Sequence, residues 1–531
     1  MKRLSLFTLL VYYMVLLWAC GSFSTPSHTD AVVADSLKSD PITPLNTAIT
    51  PENAYNDLFL DSSAITKFIA SENLDAYTAN RMRSFYNARN YEFAWLDSRG
   101  AVEQAAAFRS LYNYSKDTMN NKALDRQLDA LVDKDSLGIS ATDASAIHTE
   151  LELTWRLINY FKETSGSVTQ LEHMVPTQRY PAMELADSML QTDDAMYPAV
   201  APMKASLKIY MDIVRQGGWE PVGPVKGLRQ GQSSPLIPAI KQRLWVTGYL
   251  PENDSSKIYT EALETAVNTF RSSHGYKPTG ILNDTVIREL NVPADTRLQQ
   301  LLVNMERMKW MPAAPKGKLI LVNIPAFVLH VTDDGRKLFD MDIVVGKEGH
   351  STTMFSGVLN QVVFSPYWNV PRSIIRKEIL PAMGRNKGYL AAHHMEITGR
   401  SGGVPVIRQL PGPHNALGRV KFLFPNSYNI YFHDTPDKGL FARDNRAYSH
   451  GCIRLKEPVK MAQFVLEDQP EWTDERMDDA MNSGRQRFVA VKNPVPVIIT
   501  YYTAWVDDDG QLCFASDVYG HDEVFKKKLF K

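Results

Sequence analysis

A thiol and an imidazole stand close together near the end of this chain, His433 within Asn429–Pro436 and Cys452 within Ser449–Leu455. A free thiol titrates near about 8.5, so a cysteine nucleophile needs a base or a neighbouring cation. His433 is the candidate base: it can hold the thiolate as an imidazolium partner and later return the proton to a leaving amine. Its second ring nitrogen then requires an orienting acceptor, either a backbone carbonyl or a polar side chain. Gly451 lets a substrate carbonyl approach the sulfur without a side chain in the way, and the N–H groups around Gly451 and Cys452 are natural oxyanion donors. Arg454 can anchor a substrate carboxylate or brace the loop. His450 can position the loop or make an ordinary structural hydrogen bond. This chemistry requires sulfur and imidazole within bonding reach at an open groove.

The elements around these residues must place them. Strand alternation puts Tyr431 and His433 on one face and Ile430 and Phe432 on the other. After Leu455, Pro458 opens a helix whose apolar face is Val459, Ala462, Val465 and Leu466. From Lys318 the hydrophobic period is two, predicting strands over 319–324, 327–331 and 339–345, with Asp334-Gly335 as a hairpin turn. Further strands are expected at 361–364, 428–432, 488–491 and 496–502. Between Ile374 and Arg419 the pattern breaks into a Gly/Pro-containing stretch, which reads as a lid or recognition element.

The first half differs. Residues 51–232 carry helical spacing, as in Leu153, Leu157, Ile158 and Phe161, and this face is expected to be core. Trp95 and Trp219 are read as packing residues. Residues 233–293 alternate helix-period segments with glycine turns at Gly248, Gly275 and Gly280. This layout is similar to the three-helix peptidoglycan-binding module, with a helical insert lacking any binding role as the alternative.

The 531-residue chain has a net charge of −1, and no Lys/Arg-rich run marks it for a phosphate backbone, so no nucleic-acid partner is expected. His393, His394 and His414 lack metal-ligand spacing, so neither metal nor cofactor is expected. Lys2 and Arg3 precede an apolar run, Leu6–Ala19, too short for a spanning helix of roughly 20 residues but suited to an export signal. Cys20 after Ala19 resembles a lipidation site, with plain signal-peptide cleavage as the alternative. Residues 21–50 read as a solvated tether. Of the two later cysteines, Cys513 between Leu512 and Phe514 reads as buried, with a Cys452–Cys513 disulfide as the alternative.

The run Ser449-His450-Gly451-Cys452-Ile453-Arg454, with His433 upstream, closely resembles the catalytic motif of the L,D-transpeptidases (YkuD type). Asn304–Pro312, Ser365–Ile374, Phe85-Tyr86, Trp95 and Gly217–Trp219 are similar to other stretches of the large periplasmic members. One departure is Thr352–Phe355, which lacks the proline of smaller members. The resemblance implies a multidomain α+β protein: a mostly helical scaffold, an inserted three-helix peptidoglycan-binding module and a mainly β catalytic domain with a capping subdomain. Its parts would be 1–20 signal and lipobox, 21–50 tether, 51–232 scaffold, 233–293 module and 294–315 scaffold return. The catalytic domain would span 316–505 with the cap at 374–419, and 506–531 would extend it.

The resemblance also implies a reaction. Cys452 would act as nucleophile, His433 as general base and acid, and the Gly451 backbone as oxyanion donor. Tyr431, Ser449, His450, Arg454 and Trp368 would support or contact substrate. The substrates would be peptidoglycan stem tetrapeptides, donor and acceptor, joined by 3→3 cross-links with release of terminal D-Ala. Hydrolysis or D-amino-acid exchange on the same stems, and a catalytically silent wall-binding lipoprotein, are the competing readings. A monomer is expected, anchored through Cys20 lipid at the periplasmic face of the cell envelope. Sortase-like enzymes also order His, Cys and Arg on a β scaffold, but lack this short His–Cys gap and His-Gly-Cys context. Papain-like peptidases place Cys before His.

Overall fold

The computed structural model describes residues 41–115, 128, 138–164, 171–312 and 316–531. Cys20, the export signal and the tether as far as residue 40 lie outside the described residues.

Helices α1 (Ser62–Ser71), α2 (Ala76–Ala88), α3 (Glu103–Ser115), α4 (Ala144–Thr164), α5 (Ala182–Leu190) and α6 (Met203–Arg215) build the scaffold. Asp61 and Asp75 cap α1 and α2, their carboxylates accepting from the Ser63 and Thr78 amides that the first turn leaves unbonded. α4 buries Leu153, Leu157, Ile158 and Phe161, the face its period predicts. Trp95 is wholly buried and donates through Nε1 to Thr154 Oγ1 at 2.9 Å, while Trp219 donates to Val292 O at 3.0 Å. Both are packing residues.

Three helices follow: α7 (Ile237–Val246), α8 (Glu261–Ser273) and α9 (Asp284–Leu290). They enclose a separate apolar cluster that includes Ile240, Leu244, Val267, Phe270 and Leu290. Thr260 and Asn283 cap α8 and α9 by accepting from Leu263 N and Val286 N. The module docks through Tyr249, whose hydroxyl donates to Leu512 O at 3.1 Å, and through the His274 ring, 5.4 Å from that of Phe514. Helix α10 (Ala294–Met308) then returns, burying Leu298, Leu301, Leu302 and Met305 in the scaffold cluster.

The β-rich region opens with β1 (Lys318–Asn323), β2 (Val328–Asp333), β3 (Arg336–Gly346) and β4 (Phe355–Phe364). Next come β5 (Trp368–Asn369), β6 (Met395–Ser401), β7 (Val404–Gln409), β8 (Val420–Leu423), β9 (Phe432–His433), β10 (Ala447–Ser449) and β11 (Ile453–Leu455). Helices α11 (Pro458–Leu466) and α12 (Asp474–Asn482), the long β12 (Arg487–Thr500), β13 (Ala504–Val506), β14 (Leu512–Phe514) and α13 (His521–Leu529) complete the chain. The nine-stranded sheet has the order β10-β3-β11-β9-β8-β4-β12-β1-β2, and β2 also pairs with β3. That last pairing closes the sheet on itself, satisfying the edge groups that an open sheet would present. Its interior is apolar, with Val322, Leu329, Phe364, Phe422, Phe432 and Ile453 almost wholly buried. Pro458 stands at the start of α11, as expected.

Two segments differ from the sequence reading. The strand expected over 428–432 is reduced to Phe432–His433. Asn429 has φ +56, and the Asn426 side chain bonds both Phe424 O and Ile430 O, so this stretch curls into a loop. The segment 506–531, read as an extension of the catalytic domain, buries Leu512, Phe514, Phe525 and Leu529 in the scaffold cluster.

The stretch expected to be an irregular lid is ordered. Its helical run Arg372–Arg385, with a π turn at Ile375–Ile379, packs on the three-stranded sheet β5-β7-β6 around Val370, Ile374, Ile375, Ile379 and Ile407. This cap has its own small core, which begins at Trp368 rather than Ile374.

Candidate active site

β9 runs parallel to β11, with Phe432 opposite Ile453 and His433 opposite Arg454. Phe432 and Ile453 point into the apolar interior, so alternation sends His433 and Arg454, and one step back Tyr431 and Cys452, to the opposite face. Sheet pairing, not loop geometry, thus brings the two halves of the motif together.

His433 is 4% exposed, and its Nδ1 lies 2.5 Å from Asp434 O. A carbonyl can only accept, so Nδ1 carries the proton and Nε2 is left as a bare lone pair. The orienting acceptor is therefore a backbone carbonyl. Asp434 is fixed in turn: its carboxylate accepts from Arg419 N at 2.9 Å and from Lys438 Nζ at 2.7 Å. Burial, followed by the nearby Arg454 charge, pushes the His433 pKa down to about 3. The ring is neutral at any physiological pH.

Cys452 is partly exposed, and its thiol donates to Asn429 O at 3.6 Å. The packed surroundings of the sulfur raise its pKa above the ordinary thiol value. Hydrogen bonds from the Tyr431 amide and hydroxyl, and the charges of Lys421 and Arg454, oppose this but do not overcome it. Both shifts run against the expected thiolate–imidazolium pair, because burial disfavours both charges. Nor does the thiol bond directly to His433 at rest, because the left-handed Asn429 turns its carbonyl toward the sulfur first.

The loop around Cys452 is tightly bonded. Ser449 Oγ donates to Cys452 O at 2.5 Å and accepts from Gly451 N at 3.1 Å. The Gly451 amide, expected as an oxyanion donor, is thus already engaged by a side chain. Gly451 itself has φ +109, a conformation closed to other residues without strain. Thr352 Oγ1 donates to Gly451 O at 2.8 Å and accepts from Gly346 N at 3.0 Å. The Tyr519 hydroxyl, from the C-terminal segment, donates to Gly346 O at 2.6 Å and accepts from Thr352 N at 3.2 Å. Nothing in the spacing of Thr352 or Tyr519 pointed to this bracing.

The remaining candidates separate by role. Arg454 Nη1 bonds Asp437 Oδ2 at 2.9 Å, so it braces the segment after His433. His450 Nε2 lies 3.1 Å from Glu378 Oε1 of the cap, with the His350 ring 5.0 Å from its own. Trp368 packs against the cap's apolar cluster and does not line the cavity at Cys452. That cavity holds about 360 Å³ and is lined by Cys452, Gly451, His450, His350, Tyr428 and Asn429, among others. Cys452 and Cys513 are both free, which excludes a disulfide between them. Among the described residues no group of three or more His, Cys, Asp or Glu could hold a metal ion.

Comparison with known proteins matches two stretches of the chain. Residues 317–497 match the L,D-transpeptidase catalytic domain, and residues 80–210 match the Scaffold domain. A candidate L,D-transpeptidase of Haemophilus influenzae is 32% identical over 240 residues, covering 42% of this chain and 48% of that protein. The chain thus spans about half the length of this curated relative. An L,D-transpeptidase from Mycobacterium smegmatis is similar at 16% identity and TM-score 0.20, over 35% of this chain and 59% of that one. One from Stackebrandtia nassauensis is similar at 13% identity and TM-score 0.22, over 52% and 97%. The chain carries an L,D-transpeptidase catalytic domain at residues 317–497, joined to a scaffold domain at residues 80–210.

Proposed function

We propose that this protein is a cysteine-dependent peptidoglycan L,D-transpeptidase that forms 3→3 cross-links between stem tetrapeptides. The observation that carries the reading is the His433 tautomer: Nδ1–H is held on Asp434 O, which leaves the Nε2 lone pair as acceptor on the face it shares with Cys452. On substrate binding the thiol turns from the Asn429 carbonyl toward Nε2. The proton passes to His433 as the sulfur bonds the carbonyl carbon of the third stem residue. The Cys452 N–H is the amide positioned for the oxyanion, since the Gly451 amide is engaged by Ser449. The carbon–nitrogen bond to D-Ala then breaks, His433 returns its proton to the leaving amine, and a thioester remains. An amine of a second stem attacks, His433 takes its proton, and the thiol is restored. No external energy source enters, because one amide is exchanged for another.

A neutral resting pair suits this sequence. The sulfur is not a standing thiolate, and it becomes nucleophilic only as its proton reaches a base that burial has kept unprotonated. Gly451, Ser449, Tyr431 and Arg454 hold the nucleophile loop and its partner strand, and His450 with Glu378 holds the cap beside the cavity. The three-helix unit at 233–293 is read as the wall-binding module. Lipid on Cys20 would tether a monomer at the periplasmic face of the envelope, and Cys20→Ala would move it to the soluble fraction.

Incubation with a disaccharide-tetrapeptide, followed by mass spectrometry, tests the reaction. Cross-linked dimer with released D-Ala, abolished in Cys452→Ala and His433→Ala, is expected. Tripeptide alone would make the enzyme a carboxypeptidase, and unchanged substrate would leave a wall-binding protein.

A further inference from the structure

One wall of the cavity is not held by the catalytic domain alone. The segment Ser427–Ile430 lines it, and Asn426 closes the base of that loop, accepting from Ile430 N at 3.1 Å and donating to Ile430 O at 2.8 Å. The tip is held differently. The Tyr428 ring rests 5.2 Å from that of Phe355, and its hydroxyl accepts from Arg109 Nη1 at 2.9 Å. The Arg109 guanidinium also lies 5.5 Å from the Tyr428 ring centre. Arg109 belongs to α3 of the scaffold, 319 positions earlier in the chain. The next residue anchors the same helix, because Ser110 O accepts from Ser356 Oγ of β4 at 2.6 Å. Asn429, directly after Tyr428, is the residue whose carbonyl receives the Cys452 thiol.

We propose that Arg109 is a positioning residue of the active site: through Tyr428 the scaffold domain holds the loop that parks the Cys452 thiol and walls the substrate cavity. The scaffold is then part of the catalytic apparatus and not only a spacer. Asn429, next to Tyr428, has a left-handed backbone at φ +56, so the direction of its carbonyl depends on how the tip of the loop is held. Loss of the Arg109–Tyr428 bond would let the Asn429 carbonyl leave the thiol and admit water beside the sulfur. Both changes favour the thiolate. Of the charges and donors that face the sulfur, Lys421 and Arg454 lie on other segments, while Tyr431 directly follows the wall and is held separately, its carbonyl accepting from Ile453 N at 3.1 Å; these would remain, as would His433, His450 and His350.

The proposal rests on Cys452 being the nucleophile, and its first test does not depend on cross-linking. In the full chain, the pH profile of Cys452 alkylation by iodoacetamide is measured for wild type, Tyr428→Phe, Arg109→Ala and Arg109→Lys. Tyr428→Phe keeps the ring and the charge, so folding is preserved. Its midpoint is expected to fall by about half a pH unit or more, the equivalent of one weak hydrogen bond to the thiol. Arg109→Ala is expected to do the same, Arg109→Lys to restore most of the wild-type profile, and Arg109→Ala combined with Tyr428→Phe to shift no further than either alone. In the tetrapeptide assay, KM rises about fivefold, one hydrogen bond's worth, with a smaller change in kcat. Unchanged midpoint and unchanged KM in Tyr428→Phe would overturn the proposal. A shifted midpoint in a protein that makes no cross-link would leave it standing and remove the transpeptidase reading instead.

Discussion

Replacing Gly418 by alanine should disable His433, the proposed base, without touching it. Gly418 has φ +62, and a Cβ built there overlaps the Asp434 side chain, including its Cβ at 2.5 Å, so rotation of the carboxylate alone cannot clear the overlap. Left-handed backbone costs a non-glycine residue about 1–2 kcal/mol. Displacing Asp434 also breaks its bond from Arg419 N and loosens its pair with Lys438, for about 1–2 kcal/mol more after discounting the half-exposed lysine. A loss near 3 kcal/mol is expected in the unfolding transition of the barrel, read by calorimetry on the full chain. The kinetic effect should be larger than that suggests. Asp434 O fixes the His433 tautomer, and a misdirected base forfeits about 10²–10⁴ in rate. Gly335→Ala is the control, because Gly335 is also left-handed, at φ +76, yet has open space around its Cβ position. It should show the backbone cost alone and full activity. If Gly418→Ala, folded at the assay temperature, turned over tetrapeptide within twofold of wild type, the assignment of Asp434 as the orienting acceptor would be refuted.

Other outcomes follow from the same electrostatics. Alkylation of wild-type Cys452 should still accelerate above pH 9, because burial raises the thiol and His433, at about 3, offers no imidazolium; a plateau below pH 7 would mean a standing ion pair. Lys421→Met should move that midpoint upward, since the Lys421 charge favours the thiolate. A carbapenem should add its mass at Cys452 and at no other residue, with no adduct in Cys452→Ala. In the scaffold, burial raises Glu92 to about 8 and Glu150 to about 7 from 4.5. Raised carboxyl pKa values stabilise the fold below the unfolded pKa and lose that contribution as pH climbs through the folded one. The scaffold should therefore melt at a lower temperature at pH 9 than at pH 5; a higher melting temperature at pH 9 would contradict both shifts.

Much of the fold was legible because two physical periods are written plainly in the chain. The apolar face of α4 and the alternation of β2 bury what their spacing predicts, while β1 and the end of β3 are buried on both faces. Where local chemistry competes with period, the pattern misleads. Tyr428–Phe432 alternates like a strand, but Asn426 offers its side-chain amide to nearby carbonyls and Asn429 tolerates a left-handed backbone, so the strand shortens to two residues. The cap fails differently. Its apolar residues are too few and too scattered to show a period, yet they meet as one cluster once β5, β6 and β7 pair. Phe525 and Leu529 are apolar at helical spacing, but spacing alone does not say which of two cores they join.

The chemistry of the site divides along the same line. Cys452 and His433 were readable because reactive side chains are few and their types declare what they can do. Their protonation was not readable, since it depends on desolvation, which only packing determines. A thiol beside a histidine suggests an ion pair in solution; here burial disfavours the charged form of each group. The groups that decide the outcome are ordinary ones: Asp434 O for the tautomer and Ser449 for the Gly451 amide, both close in sequence, and Tyr519 for the Thr352 turn and Arg109 for the tip of the Tyr428 loop, both far away. Three of these act through backbone atoms or hydroxyls that carry no reactive signature, and two lie outside the residues that match the catalytic domain. The surroundings of Cys452 and His433 are therefore fixed by more chain than the motif that contains them. The scaffold and the C-terminal segment supply part of that frame, which gives a physical reason for them to fold against the barrel.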